Sequence, residues 1–253
     1  MPLLLLRLLV LLLLLGWVYL PPALQQGLLL PLWVGAGWLI FITRLELARV
    51  RRQVWLAQYL QGGSVFRQRL QFGLIGLLWQ LLLSLLLALL LLLQLLVADG
   101  WFWVLLALSL PLLLLAEKSL TALLGGSLKP EYLPVLVRRW SLLLVTGLLI
   151  LLMLLVRLQL SQPWLIGLSW SDALLLQLQM QGEPGLLAML LRLSQTLDIT
   201  WQWLLQNALG NRDDFGWLSL LGWGALFVLQ AAFCLAWMQL LVGARWLLKK
   251  HRE

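Results

Sequence analysis

The chain has 253 residues, of which 62% are hydrophobic and only 11% charged, with a net charge of +8. A soluble domain must keep a wet surface, so this composition excludes an ordinary globular enzyme and makes lipid the natural solvent. It also removes nucleic acid as the reason for the basic balance, because in a membrane protein the basic residues gather in the loops held on the cytoplasmic side.

In chain order, six apolar stretches approach the roughly 20 residues that a helix needs to cross the hydrocarbon core. They lie at about 3–20, 27–43, 72–98, 101–116, 141–158 and 217–247. The first, MPLLLLRLLVLLLLLGWVYLPP, competes with a cleaved signal peptide. Its basic start is limited to Arg7 and the amino terminus, and no A-x-A site follows, so a retained span is expected. Pro21-Pro22 makes the first turn, and Asp99-Gly100 marks a tight hairpin between the third and fourth spans.

The segment between the second and third spans, 44–71, carries Arg44, Arg49, Arg51, Arg52, Arg67 and Arg69 against Glu46. Its first half reads as a helical extension of the second span, with Leu47, Val50, Val54 and Ala57 on one stripe. The second basic segment, 117–140, carries Lys118, Lys129, Arg138 and Arg139, and the tail carries Arg245, Lys249, Lys250 and Arg252. Six crossings place all three basic regions on one side, which the positive-inside rule makes cytoplasmic. The fold class is therefore all-α: a polytopic transmembrane bundle with both ends in the cytoplasm. The excess of arginine over lysine and of leucine over isoleucine, with scarce asparagine, fits a GC-rich bacterial genome, and the expected location is the bacterial inner membrane. Trp17, Trp101, Trp103, Trp140, Trp217 and Trp246 fall near span ends, where indoles favour the interface.

Segment 159–216 is too apolar for a plain loop. Ser169 and Asp172 form a capping-box signature ahead of a short helix, and Glu183-Pro184-Gly185 precedes a longer one. On that longer helix Arg192, Gln195, Asp198, Gln202 and Gln206 recur at three- and four-residue steps as one polar stripe. Two interfacial or re-entrant outer helices are expected, with two further spans as the alternative.

Residues able to carry chemistry are few. His251 sits in the basic tail, and Cys234, the one cysteine, reads as apolar packing. No spacing supplies a metal site, a phosphate loop or a cofactor pocket, so no catalytic, metal or cofactor residue is assigned. Arg7, Arg157 and Arg245 lie close enough to span ends to snorkel, and no acid falls in the middle of a span. The neutral polar groups within spans, such as Gln80, Ser84, Ser109, Thr146, Gln230 and Gln239, are expected to bond neighbouring helices. In the last span Gly222, Ala225, Ala232, Ala236, Gln239 and Gly243 form a heptad-like seam of mostly small residues, which lets helix backbones approach closely.

The functional expectation is a non-enzymatic integral subunit of a multi-subunit inner-membrane complex. It would contact lipid and either other membrane subunits or further copies of itself. The basic residues Arg49, Arg51, Arg52, Arg67, Arg69, Arg138 and Arg139 would meet lipid or partner. Six spans, short helices in two cytoplasmic loops and apolar outer helices before the last span resemble, in topology, the ABC-2 type exporter permeases. That resemblance implies a separate cytoplasmic ATPase; the amphipathic helix that precedes the first span in that family has no counterpart here.

Overall fold

The chain builds helices because most of its apolar residues are strong helix formers not branched at Cβ, leucine above all, and because a backbone in lipid must satisfy its own polar groups. A computed structural model describes residues 2–59, 74–127, 132–159, 165–177, 185–210 and 217–250, and among these every regular element is an α-helix. They are α1 (Pro2–Val18), α2 (Pro22–Tyr59), α3 (Leu74–Leu96), α4 (Gly100–Leu124), α5 (Leu133–Gln159), α6 (Trp170–Gln177), α7 (Leu186–Gly210), α8 (Trp217–Gly243) and α9 (Arg245–Lys250).

Five stretches among the described residues are long and apolar enough to cross a membrane: Pro22–Arg49, Ile75–Leu96, Gly100–Leu124, Leu133–Val156 and Phe227–Leu248. They point to a multi-pass membrane protein with its outer surface in lipid. The first expected span is shorter than these, since α1 has 17 residues and measures about 25 Å. Within 159–216 the described helices are α6, with 8 described residues, and α7, and neither is among the five.

Helix boundaries differ from the expected spans in an informative way. Glu117 and Lys118 do not end the fourth span; α4 continues to Leu124 and stops at Gly125-Gly126, where the Gly125 amide donates to Thr121 O. The following helix starts at Leu133, well before Ser141, so much of the expected loop 117–140 is helical. Charged residues with good helix propensity lengthen these helices out of the apolar region instead of breaking them. The helical extension expected for the second span is present: α2 runs unbroken through Arg44, Glu46 and Arg49 to Tyr59, and its 38 residues span about 57 Å, far more than a hydrocarbon core of about 30 Å.

At the centre lies α8, packed against α2, α3, α5 and α7. Phe233, Cys234, Ala236, Trp237 and Leu241 are fully buried along it. The small-residue seam turns inward here. Ala236 and Gln239 are buried, Ala232 is half-buried, and a Cβ on Gly243 would overlap the Leu39 carbonyl oxygen of α2. Thr43 Oγ1 contacts both Leu39 O at 3.1 Å and Gln239 O at 3.0 Å, tying the two backbones at the same level. Gly222 and Ala225 lie on α8, but their side chains fall outside the described set.

Neutral polar side chains join other helices. Trp237 Nε1 donates to Ser109 Oγ at 2.9 Å, and Trp33 Nε1 to Leu85 O at 2.7 Å. Gln230 Nε2 lies 2.8 Å from Met153 Sδ. Two of the expected interfacial tryptophans are core residues instead: Trp17 is 2% exposed with its indole N–H on Gln25 O, and Trp103 is buried against the same cluster. Trp101 and Trp140 face outward, as expected.

Candidate functional site

Charge concentrates at the end of the bundle where α1 begins, α4 and α8 end and α5 starts. Between these helix ends and the middle of α2 lies an open cleft of about 620 Å³. Leu3 and Leu248 both line it, so the two ends of the described chain meet here. Its polar wall is Thr43, Glu46, Glu117, Arg138 and Arg245; its apolar wall includes Ile42, Val242 and Trp246.

Behind Glu117 sits the main correction to the snorkelling expectation. Arg7 is 1% exposed, with Nη2 on Glu117 Oε1 at 2.7 Å and Nε directed at Leu241 O at 3.4 Å. Its Nη1 is buried with no acceptor among the described residues. An arginine one turn into an apolar helix reaches the interface only if its path is open; here α4 and α8 close it, and the charge is met by a carboxylate. Glu117, within the Gly100–Leu124 stretch, is also the acid that the sequence reading placed outside any span.

The second pair is wetter. Arg138 Nη1 meets Glu46 Oε2 at 2.5 Å, with Glu46 half exposed, and Arg138 Nε donates to Pro134 O at 3.2 Å. Alongside, Arg44 Nε donates to Gln80 Oε1 at 2.8 Å, joining α2 to α3. Arg245 is exposed and makes no ion pair among the described residues. Among the described residues the cleft therefore has two carboxylates already matched by guanidinium groups and one cation in excess.

The other basic residues singled out in sequence scatter. Arg49 and Arg139 are exposed on α2 and α5. Arg51 and Arg52 lie on the last turns of α2 with side chains outside the described set, and Arg67 and Arg69 lie outside the described residues altogether.

At the opposite end, α6 and α7 form a small layer around Leu165, Ala173 and Ile199. The N-cap half of the expected capping box is present: Asp172 N donates to Ser169 Oγ at 3.2 Å, and Ser169 Oγ to Asp172 Oδ2 at 2.5 Å. The polar stripe divides. Gln206 Oε1 accepts from Leu165 N at 2.6 Å, whereas Arg192 is exposed, Gln195 and Asp198 are half-buried, and Gln202 Oε1 is buried without a partner among the described residues. Asn207, which the stripe omitted, accepts from Gly167 N at 3.2 Å and donates to Leu165 O at 3.3 Å, pinning a turn whose Gly167 has a φ of 81°. Only glycine enters that region without strain.

Among the described residues no group of three or more His, Cys, Asp and Glu side chains could hold a metal ion. The Arg7–Glu117 pair escaped sequence reading because its members lie 110 positions apart. The available signal was physical: a lone cation in one apolar helix implies a buried acid in another. Comparison of the chain with protein-family models, curated proteins and solved structures finds no match.

Proposed function

We propose that this chain is a non-enzymatic integral subunit of a multi-subunit complex in the bacterial inner membrane, and that it docks its partner on a basic helical arm at the charged end. One observation carries the reading. The Trp33–Leu85 and Arg44–Gln80 bonds pair α2 antiparallel to α3, and α2 continues past Arg44 without a break to Tyr59. Its last turns carry Arg49, Arg51 and Arg52 at and beyond the end of the apolar stretch, which closes at Arg49. A continuous helix that carries its cations out of the apolar zone offers a rigid, preorganised surface at low ordering cost.

In this reading α1 supplies a sixth crossing and both termini are cytoplasmic. Support comes from Leu3 and Leu248 sharing one cleft and from the arginines gathered beside it.

The test is purification in mild detergent. Integral partners are expected to come with the chain, and the combined Arg49→Glu, Arg51→Glu, Arg52→Glu variant is expected to lose them while remaining inserted. Partner recovery unaffected by that reversal would overturn the arm. Recovery of an ATPase with ATP turnover would replace the subunit reading with an exporter permease. In a Cys234→Ala background, Gln58→Cys should react only from the cytoplasmic side; labelling from outside would overturn the topology.

A further inference from the structure

We infer that the charged cleft is a binding site for a phospholipid, its phosphate held by Arg245 and Arg138. The cleft's volume of about 620 Å³ falls within the roughly 300–1,000 Å³ of small-molecule sites. Its lining has the two characters that an amphiphile requires, with Arg138 and Arg245 beside Leu3, Ile42 and Val242.

Charge complementarity selects the headgroup. Glu117 is neutralised by Arg7, and Glu46 by Arg138, so the excess over both pairs is the guanidinium of Arg245. Arg138 uses Nη1 on Glu46 and Nε on Pro134 O, which leaves Nη2 for a second phosphate oxygen. A guanidinium fork is suited to phosphate oxygens.

The mixed lining selects a lipid over free phosphate. An inorganic anion would leave Leu3, Ile42, Val242 and Leu248 of the lining without an apolar partner, whereas acyl chains would cover them. Trp246, on α9, completes the lining at the level where an indole favours the interface. Basic pockets between membrane helices are established headgroup sites on general grounds. Lipid binding here is independent of whether a protein partner docks on the α2 arm.

The test is native mass spectrometry of the full chain in non-ionic detergent, titrated with phosphatidylglycerol. Wild type is expected to retain a bound lipid, and Arg245→Gln to weaken retention on the order of tenfold, the loss of a charge-assisted contact. Arg245 is exposed, so the variant should keep its fold, as circular dichroism and gel filtration would verify. Arg192→Gln, on α7 outside the described lining, should bind as wild type does. Diacylglycerol, which lacks the phosphate, should not compete. Equal retention by wild type and a folded Arg245→Gln would overturn the site, as would an equal loss in Arg192→Gln. Displacement of the lipid by inorganic phosphate at matched concentration would overturn the lipid assignment and leave an anion site.

Discussion

The two ends of the molecule are held together by different chemistry. At the charged end, full charges from distant helices meet: Arg7 of α1 with Glu117 of α4, and Arg138 of α5 with Glu46 of α2. At the other end, neutral groups do the fastening, as Gln206, Asn207, Trp203 and Thr200 of α7 bond to the turn and helix at 165–177 or are bonded by it. The difference lies in what each bond leaves behind when broken. A broken neutral bond strands an amide or a carbonyl; a broken buried ion pair strands a charge, at several times the penalty. The charged end is thus the more brittle, although nothing requires its pairs to make the fold more stable than apolar replacements would.

The largest expected effect follows from this. Glu117→Leu leaves Arg7 buried, charged and without its carboxylate, and should cost about 3–5 kcal/mol, the range for halving a buried pair. Thermal unfolding in detergent would measure it. The double replacement Arg7→Met with Glu117→Leu should recover most or all of the loss, since both charges then disappear together. If the double variant is as unstable as the single one, the pair holds α1 against α4 in a way that apolar packing cannot replace.

Next comes the neutral end. Asn207→Ala removes the acceptor of Gly167 N and the donor to Leu165 O. Loss of such partly buried bonds should cost about 1–3 kcal/mol. The effect should be confined to 165–177 and its contacts on α7, because this layer has its own small core. Hydrogen exchange would resolve it: faster exchange at 165–177 with α8 unchanged is expected, and uniform acceleration would mean that the two ends are one cooperative unit.

Much of this contrast was legible in the sequence, unevenly. The all-helical class followed from apolar runs that only lipid could solvate. The capping box at Ser169 and the inward seam at Gly243 were readable because each depends on local spacing. What failed was long-range or two-valued. Trp17 near a span end fits an interface or a core equally well, and its burial depends on which helices gather round it. Arg7 was assigned to snorkelling because the neighbours that close its path, α4 and α8, are not local. The end of α4 was missed because a charge marks the end of an apolar run, and an apolar run is not a helix; the extension of α2 was read because Leu47, Val50, Val54 and Ala57 keep a helical spacing past the charges. Asn207 was missed because its task is set by a turn some forty positions away.

The smallest effect sharpens the comparison most, because it tests burial while keeping chemistry constant. Glu46–Arg138 has the same charges as Arg7–Glu117 and a comparably short contact, but Glu46 is 50% exposed where Arg7 is 1%. Water can solvate whichever partner remains, so Glu46→Ala should cost only about 0.2–1 kcal/mol. A double-mutant cycle with Arg138→Ala should return a coupling within that range that weakens as salt rises. The Arg7–Glu117 cycle should return a far larger coupling that salt hardly changes. Were the two couplings equal, burial would not be the variable that separates them, and the brittleness of the charged end would have to be sought in packing around Leu241 and Gly243 instead of in its charges.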